Sequence, residues 1–428
     1  MRIVPEKENL SIYNSLSRQK EVFIPLCPGK IGIYICGPTV YDHAHIGHAR
    51  SAVFFDTFVR YLRHTGYTVN CVRNISDTDD KIIARAKEQE KEPVSLAEAF
   101  LTAWQADTAA LNIQKPDHEP GARHYIVPMQ SCIRALLAKG HAYKVQGNVY
   151  FSLRTFPEYG KLSGRFLKNS PAGYTKANCP GKQHPADFAL WKSAEISEPG
   201  WESPWGRGRP GWHLECTAMS REILGEQFDI HGGGRDLIFP HHENEIAQSR
   251  ALSGKIPARY WMHHGMVTVN GKKMSKSGGN FQRIRDLLLS FSPEVIRFFL
   301  LSKHYRNPLN FTLKKMEESK SARRGILLFL QEMEKRMGPP QAADFIRGPC
   351  WREFCRIMND DVNTPAGISL IFQAIRKTKK ELGQNDKNRL PAEMKKALQI
   401  RRADILKIGK DVLGVIPESV PGFRSRIQ

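Results

Sequence analysis

The chain has 428 residues, 41% of them hydrophobic and 25% charged, a composition typical of a folded protein with two or three domains. Lysine and arginine number 64 against 43 aspartate and glutamate, and the formal net charge of +21 favours a polyanionic partner. The first residues are charged and do not predict a signal peptide. No stretch of the sequence is long and apolar enough to span a membrane. The eight cysteines are scattered, which indicates reduced thiols in the cytoplasm.

The first part of the chain predicts alternating strands and helices. A strand is predicted at 30–36, in KIGIYIC, and a helix at 45–65, where apolar residues recur at helical spacing until Gly66. The next strand is predicted in YTVNCVRNIS, from residue 67, and the next helix in DDKIIARAKEQ, from residue 79. This order of elements predicts a doubly wound α/β domain with a parallel sheet.

The pattern changes twice further along the chain. Residues 118–205 are rich in glycine, proline, lysine and aromatic residues, which is typical of an insertion with short strands and long loops. The α/β pattern resumes near 227–251, as a strand, a glycine-rich turn and a helix. After about residue 285 the chain is basic, and its amphipathic segments predict a helical region.

A short motif, His45-Ile46-Gly47-His48, begins the first predicted helix. Because residues i and i+3 lie on one face of a helix, both imidazoles are expected to project from the first turn, where the helix N-terminus favours an anion. Gly47 leaves room for a flat ligand near the backbone. These donors suit the phosphates of a nucleotide, but ordinary surface or core histidines are the simpler explanation of so short a motif taken alone.

A second motif, KMSKS at 273–277, lies between glycines. The ammonium groups of Lys273 and Lys276, with two hydroxyls, form a mobile clamp suited to a triphosphate. A lysine-rich loop is usually solvated surface. Its occurrence after His45–His48, in this order and at this separation, favours nucleotide chemistry instead.

With both motifs the sequence resembles the class I aminoacyl-tRNA synthetases, and among them the cysteinyl-tRNA synthetases. The likeness extends from about residue 12 to 415. It is carried by IYICGPTVYDHAHIGHAR, VRNISDTDDKIIARA, SPWGRGRPGWHLECTAM, FDIHGGGRDLIFPHHENEIAQS, YWMHHGMV and KMSKSGGN. The implied domains are a Rossmann-like catalytic domain at 1–117 and 206–262, a connective insertion at 118–205, a KMSKS loop and stem-contact region at 263–312, and a helical tRNA-contacting domain at 313–428.

The resemblance implies one zinc ion per chain at the floor of the amino-acid pocket. Its ligands, carried over from the family, are Cys36, Cys216, His241 and Glu245. Two thiolates, an imidazole and a carboxylate suit Zn²⁺, which binds a thiolate far better than an alcohol and so separates cysteine from serine. Spacing alone does not select this set. Equally eligible donors are Cys71, Cys179, His242 and Glu243.

The remaining roles are likewise implied by the resemblance. Catalytic charge stabilisation is expected from His45, His48, Lys273 and Lys276. ATP, accompanied by Mg²⁺, is expected to contact His45, Gly47, His48, His231, Gly232, Gly233, Gly234, Asp236 and Lys276. Cysteine is expected to contact Gly37, Thr39, Ser76 and Trp212, where Ser76 replaces a threonine common in the family.

The implied activity is that of a cysteine–tRNA ligase, a cytoplasmic monomer that forms cysteinyl-adenylate from cysteine and ATP and charges tRNA(Cys). The anticodon-binding module usual at the family's C-terminus is not recognisable, which leaves open a cysteine ligase acting on a small amine, as in mycothiol biosynthesis. A non-catalytic RNA-binding paralogue is a further alternative. The net charge favours tRNA as the acceptor, and the intact motifs argue against the paralogue.

Overall fold

A computed structural model describes residues 9–166, 181–196, 198–274, 279–338, 347–383 and 390–417. Its strands are β1 (Ser11–Asn14), β2 (Gln19–Val22), β3 (Lys30–Ile35), β4 (Thr68–Arg73), β5 (Ala142–Val145), β6 (Asn148–Phe151), β7 (Phe188–Ser193), β8 (Gly208–Pro210), β9 (Phe228–Gly234), β10 (Ala258–His264), β11 (Val267–Val269), β12 (Lys272–Lys273) and β13 (Leu309–Phe311). Its α-helices are α1 (Ile46–His64), α2 (Asp80–Glu88), α3 (Pro93–Ala110), α4 (Ile126–Ala138), α5 (Trp212–Leu224), α6 (Glu243–Ser253), α7 (Ile284–Ser290), α8 (Pro293–Leu301), α9 (Leu313–Met337), α10 (Pro349–Met358), α11 (Thr364–Gly383) and α12 (Ala392–Leu406). Within these residues, no helix combines the length and the apolar character needed to cross a membrane.

Four parallel strands form the central sheet, in the order β10–β9–β3–β4. Strand β9 is buried along its whole length, as expected for a strand covered on both faces. Because the strands are parallel, their carboxyl ends meet at one edge, where Cys36 follows β3 and Gly234 ends β9. The predicted parallel α/β core is confirmed, and β3 and α1 have nearly the predicted bounds.

Helices cover both faces of this sheet. Ile31, Ile33 and Ile35 of β3 belong to a hydrophobic core that includes α1, whereas Tyr34 belongs to a second core that includes α5 and α6. The alternation follows the two-residue period of a strand. The two cores therefore hold the sheet between layers of helices, as the predicted doubly wound arrangement requires.

Three further sheets accompany this core, and the first is the antiparallel pair β1–β2. An antiparallel sheet in the order β5–β6–β7–β8 contains short strands, as predicted for the insertion, although β8 follows the predicted range 118–205. The predicted domain boundaries stay a prediction. A third sheet, β12–β11–β13, carries Lys272 and Lys273 on its short antiparallel strand.

Helices α9 to α12 form the helical region predicted after residue 313. Trp351 and Phe354 of α10 belong to the same hydrophobic core as α1. The hydroxyl of Tyr61 on α1 donates to the carbonyl of Cys355 at 3.2 Å and to Oδ1 of Asn359 at 2.6 Å. The helical region is therefore joined to the α/β domain by shared apolar burial and not only by the covalent chain.

A buried ion cluster makes the same connection deeper in the core. The carboxylate of Asp56 on α1 accepts from Arg60 at 2.9 Å and from Arg297 of α8 at 2.7 Å, and both guanidinium groups are almost fully buried. Arg297 also donates to the carbonyl of Leu413, beyond α12, at 3.0 Å. One carboxylate thus pairs with two buried cations that connect α1, α8 and the end of the helical region.

Removal of this carboxylate leaves two buried guanidinium groups without their counter-ion. We expect Asp56→Ala to lower the free energy of unfolding by about 3–5 kcal/mol, measured from urea denaturation of the variant and the parent protein. Glu88→Ala is the matched control, because Glu88 pairs with Arg85 but its side chain is 63% exposed. That control is expected to change the free energy by less than about 0.5 kcal/mol. Equal effects of the two substitutions would contradict the role given to Asp56.

Candidate functional site

A cavity of about 410 Å³ lies at the carboxyl edge of the central sheet. The predicted site residues that line it are Cys36, Gly37, Thr39, His45, Gly47, His48, Trp212, Gly234, Asp236 and Lys273. Other predicted residues are buried next to it, namely Ser76, Cys216, His231, Gly232, His241 and Glu245, with Gly233 inside β9. Lys276 lies outside the described residues.

The histidine pair caps the first helix through two reciprocal hydrogen bonds between ring nitrogens and backbone N–H groups. Nδ1 of His45 accepts from the backbone N–H of Gly47 at 3.0 Å, and Nδ1 of His48 accepts from the backbone N–H of His45 at 3.2 Å. The two rings are stacked, with centroids 3.8 Å apart. This exchange satisfies N–H groups of the first turn, which a helix leaves without internal partners.

The exchange also sets which ring nitrogen carries the proton. Burial lowers the pKa of His48 well below its usual value, and the nearby His45 and His264 lower it further. A neutral ring whose Nδ1 accepts a hydrogen bond carries its proton on Nε2. His48 can therefore act as a neutral Nε2–H donor to an anion next to the helix N-terminus.

Gly47 is needed for this arrangement because of its small size. A Cβ atom at this position would lie 2.8 Å from Cε1 and 2.9 Å from Nδ1 of His45. Any larger residue would displace the ring that caps the helix. Space is restricted at Gly37 in the same way, since a Cβ there would lie 1.7 Å from the backbone oxygen of Asn74.

The segments on either side of the second motif are both attached to α1. Arg50, buried on α1, donates to the carbonyl of Met266 at 3.1 Å and to that of Tyr305 at 3.1 Å. After the motif, the N–H of Ile284 donates to the carbonyl of Ala44 at 3.0 Å, while the N–H of Ile46 donates to the carbonyl of Gln282 at 2.9 Å. Lys273 is exposed on β12 and lines the cavity. The first motif and the described segments on either side of the second are thus positioned relative to the same helix.

A cluster of metal-ligating side chains lies next to the cavity and contains all four predicted ligands. The Sγ atoms of Cys36 and Cys216 are 3.8 Å apart, and Cys216 Sγ is 3.4 Å from Nε2 of His241. Glu245 Oε1 is 3.1 Å from Nε2 of His241 and 3.9 Å from Sγ of Cys36. When two sulfurs bind zinc at about 2.3 Å in tetrahedral geometry, they lie about 3.8 Å apart. The spacings in this cluster therefore fit an ion with tetrahedral coordination.

The charges of the cluster also suit a cation. Burial alone would raise the pKa of the Cys216 thiol, but the hydrogen bond with Cys36 and the neighbouring His241 bring it down to about 6. Burial likewise opposes ionisation of Glu245, yet His231 and His241 lower the pKa of its carboxyl to about 2. The site therefore offers a thiolate and a carboxylate at neutral pH, and a metal ion would compensate their burial.

A second donor group overlaps the first. It consists of Cys36, His231, His242 and Glu245, and it shares a thiol and a carboxylate with the predicted set. Nε2 of His242 is 3.3 Å from Sγ of Cys36, while its Nδ1 is 2.8 Å from Nε2 of His263. We favour the predicted set because it brings both cysteines together, and thiolates are preferred zinc ligands.

Other donors that the sequence left open have different environments. Cys71 is buried in β4 and belongs to neither donor group. The carboxylate of Glu243 accepts the backbone N–H groups of Gly160 at 3.0 Å and Ser163 at 2.7 Å, so it holds a loop of the insertion. Cys179 lies outside the described residues.

Two predicted contacts have a different geometry from the one expected. The Ser76 hydroxyl is buried and donates to Glu215 at 2.5 Å, and Thr78 donates to the same carboxylate at 2.6 Å. Since a hydroxyl that donates can also accept, a contact from Ser76 to cysteine would have its oxygen as the acceptor. His231 does not line the cavity, because its buried ring pairs with Glu245 at 2.9 Å. Its side chain is therefore placed to orient Glu245.

Sequence reasoning missed several residues of this site. Arg50 is the last residue of the segment IYICGPTVYDHAHIGHAR. Nothing in that segment indicates that Arg50 is a buried cation held by backbone carbonyl groups. His213 approaches His241 with 3.0 Å between their Nδ1 atoms, and His263 contacts both His242 and Ser15. The concentration of histidines between 213 and 264 was the available signal for this network.

Comparisons with known proteins give a consistent result. Residues 22–321 match the family described as tRNA synthetases class I (C) catalytic domain, and residues 353–416 match the DALR domain. A cysteine–tRNA ligase of Legionella pneumophila (strain Corby) is 54% identical over 366 residues, which cover 85% of this chain and 79% of that protein. One from Nitratidesulfovibrio vulgaris (strain DP4) is 47% identical over 428 residues, covering 98% and 88%.

The fold also resembles that of a solved synthetase. Mycobacterium tuberculosis methionyl-tRNA synthetase in complex with methionyl-adenylate superposes with a TM-score of 0.66, covering 90% of each chain. Only 14% of the residues are identical, so this likeness concerns the fold alone. It agrees with the parallel-sheet core and the helical region described above.

Metal analysis of variants can decide between the two donor groups. We expect Cys216→Ser and His241→Asn to lose most of their bound metal, since each removes a ligand of the predicted set alone. His242→Asn is expected to retain it. Metal per chain is measured by elemental mass spectrometry on the purified proteins, with Cys27→Ser, an exposed thiol, as the control. Metal loss in His242→Asn with retention in His241→Asn would assign the ion to the second group.

Proposed function

This chain belongs to the cysteine–tRNA ligase family of class I aminoacyl-tRNA synthetases, and from that premise we propose that it activates cysteine with ATP and charges tRNA(Cys). The observation that carries the proposal is the position of Cys36. This thiol belongs to the metal-ligating cluster and also lines the cavity that contains His45 and His48. A thiol-binding centre and a phosphate-binding helix terminus thus face one space.

The first step joins two substrates that need alignment more than acid–base catalysis. An oxygen of the cysteine carboxylate, already ionised at neutral pH, forms a bond to the α-phosphorus of ATP while the bond to pyrophosphate breaks. His45 and His48 donate to the phosphate oxygens at the N-terminus of α1. Lys273, together with Lys276, neutralises the departing pyrophosphate, whose charge Mg²⁺ shares.

Selectivity for cysteine depends on the donor set at the cavity floor. Cys36, Cys216, His241 and Glu245 would hold Zn²⁺, which when bound supplies a soft Lewis acid for the substrate thiolate. Trp212, whose ring centroid is 4.4 Å from that of His241, forms the wall beside this set. Gly37 and Thr39 line the same end of the cavity. Asp236 and Gly234, also in the lining, are in place to face the adenosine.

The second step transfers the amino acid to RNA. A hydroxyl of the 3′-terminal ribose attacks the carbonyl carbon of cysteinyl-adenylate, an ester bond forms, and AMP leaves. The net charge of +21 and the match of 353–416 to the DALR domain support tRNA as the acceptor. We expect the protein to act as a monomer.

A single experiment tests the activity and its acceptor. The purified holoenzyme is incubated with radiolabelled cysteine, ATP, total tRNA and a mixture of small amines, including amino sugars. We expect the label in tRNA, and cysteine but not serine to support ATP–pyrophosphate exchange. Label in a small amine would show that this amine, and not tRNA, is the acceptor. ATP–pyrophosphate exchange with serine at the same rate would contradict the selection of cysteine by a bound metal. Absence of exchange would leave only a non-catalytic role.

The helix cap gives a prediction for the activation step. In Gly47→Ala the new Cβ collides with the ring of His45, so the donors facing the phosphates lose their alignment. We expect the rate of cysteine-dependent exchange to fall about tenfold or more, which corresponds to about 1.4 kcal/mol of transition-state stabilisation.

The matched control is a helical glycine far from the site. A Cβ at Gly325 in α9 would have no atom within 4 Å, so Gly325→Ala should retain the exchange rate. Metal content and unfolding are measured for both variants. A parental exchange rate in Gly47→Ala would show that the ring of His45 does not serve the phosphates.

A further inference from the structure

Lys81 occupies a place at the cavity that the proposed mechanism does not use. It lies in the first turn of α2 and lines the cavity. Its ammonium is 5.7 Å from the ring centroid of Tyr41 and 5.7 Å from that of Trp212. Aromatic faces attract a cation without neutralising it. The ammonium is therefore held at the cavity while keeping its charge available for a ligand.

The acidic neighbours of Lys81 in the sequence are committed to other groups. The carboxylate of Asp79 caps α2 by accepting the backbone N–H of Lys81 at 2.8 Å. Asp80 pairs with Arg209 at 2.8 Å and with Lys192. Among the described residues, no carboxylate forms an ion pair with the Lys81 ammonium.

The position is also unfavourable for a lysine on local grounds. The N-terminus of a helix carries partial positive charge, which disfavours a cation in the first turn. A residue that contradicts local preference without a compensating partner is typical of a functional position. Lys81 is exposed at the cavity, so its charge is accessible to an anion from outside the chain.

The cavity wall holds four other cations, of which Lys115 lies beyond the C-terminal end of α3 and the remaining three serve different places. Arg73 pairs with Glu119 at 2.8 Å, and Arg63 pairs with Asp117 at 2.8 Å. Lys273 lies on β12, in the segment that leads into the second motif. Lys81, in contrast, contacts the indole of Trp212, which also packs against His213 and against the His241 ring of the metal-ligating set. A thiol-binding centre and a free ammonium thus flank one side chain.

We propose that Lys81 binds the α-carboxylate of cysteine and holds it for attack on the α-phosphorus of ATP. This inference rests on the proposed function. Cysteine carries its thiol and its carboxylate at opposite ends, which matches a thiol-binding centre and an ammonium that both border Trp212. The carboxylate must approach an anionic triphosphate, and a neighbouring cation reduces their repulsion. The lysine keeps its proton throughout, because the step transfers none.

Lys81→Met tests the charge while keeping an apolar stem of similar length. In the holoenzyme, we expect kcat/KM for cysteine in ATP–pyrophosphate exchange to fall at least about tenfold, with KM for ATP unchanged within about twofold. Lys81→Arg should restore part of the loss, since it restores the charge. Lys87→Met, an exposed lysine in the last turn of the same helix, is the control and should match the parent. Metal content is measured for every variant.

Cysteamine separates carboxylate recognition from packing, because it has the thiol and the amine of cysteine but no carboxylate. Its inhibition constant against cysteine should be equal in Lys81→Met and the parent protein. If Lys81→Met weakens the binding of cysteine and of cysteamine equally, Lys81 has only a packing role. If the substitution raises only KM for ATP, Lys81 binds the phosphates. Either result overturns the proposal. If the parent protein itself shows no cysteine-dependent exchange, the proposed function fails first.

Discussion

The hydrogen-bonded register between β3 and β9 is the constraint on which the site depends. Ile35 pairs with Gly232, and the N–H of Cys36 donates to the carbonyl of Gly232 at 3.1 Å. Side chains alternate between the two faces of a strand, so a shift by one residue would turn the thiol of Cys36 to the opposite face. It would then lose both Cys216 and Glu245. The donor set exists only in this register.

A second constraint is that one helix carries the first motif and holds the described segments that border the second. Arg50 attaches the chain before β11 and the turn at Tyr305 to α1. The same turn is held from the other side, because Asp361 accepts from the Tyr305 hydroxyl at 2.8 Å and from Arg306 at 2.6 Å. Asp361 itself has a φ of 58°, an unfavourable backbone conformation that its many contacts maintain. The helical region and the catalytic motifs therefore share one rigid junction.

The buried polar groups of the site are a cost that its chemistry explains. Burial lowers the pKa of His213, His242 and His263 well below their usual values, so these rings are neutral and linked through short nitrogen–nitrogen contacts. Glu245, by contrast, stays ionised inside the protein. Its charge is compensated by His231 and His241, which lie 2.9 and 3.1 Å from its oxygens. The donor set is therefore compatible with a metal ion, which would take over this compensation when bound.

Much of this could be predicted from the sequence, since local patterns specify local structure. The alternation in 30–36 and the helical spacing after His45 correctly predicted β3 and α1 of the α/β core, and likeness to a family supplied four predicted metal ligands that lie in one cluster. What the sequence did not determine was which groups touch. The hydrogen bond of Ser76 with Glu215, the burial of His231 and the position of Lys81 over Trp212 appear only in the tertiary structure.

The physical reason is that these contacts join distant parts of the chain. Cys36 meets Cys216 across 180 positions and Glu245 across 209. Such contacts follow from strand register and from the packing of helices on the sheet, to which many residues contribute weakly and together. The sequence by itself determined the elements and the chemical groups available. Only the tertiary structure decided which of those groups share a site, because side-chain periodicity encodes a face of an element and not its partner.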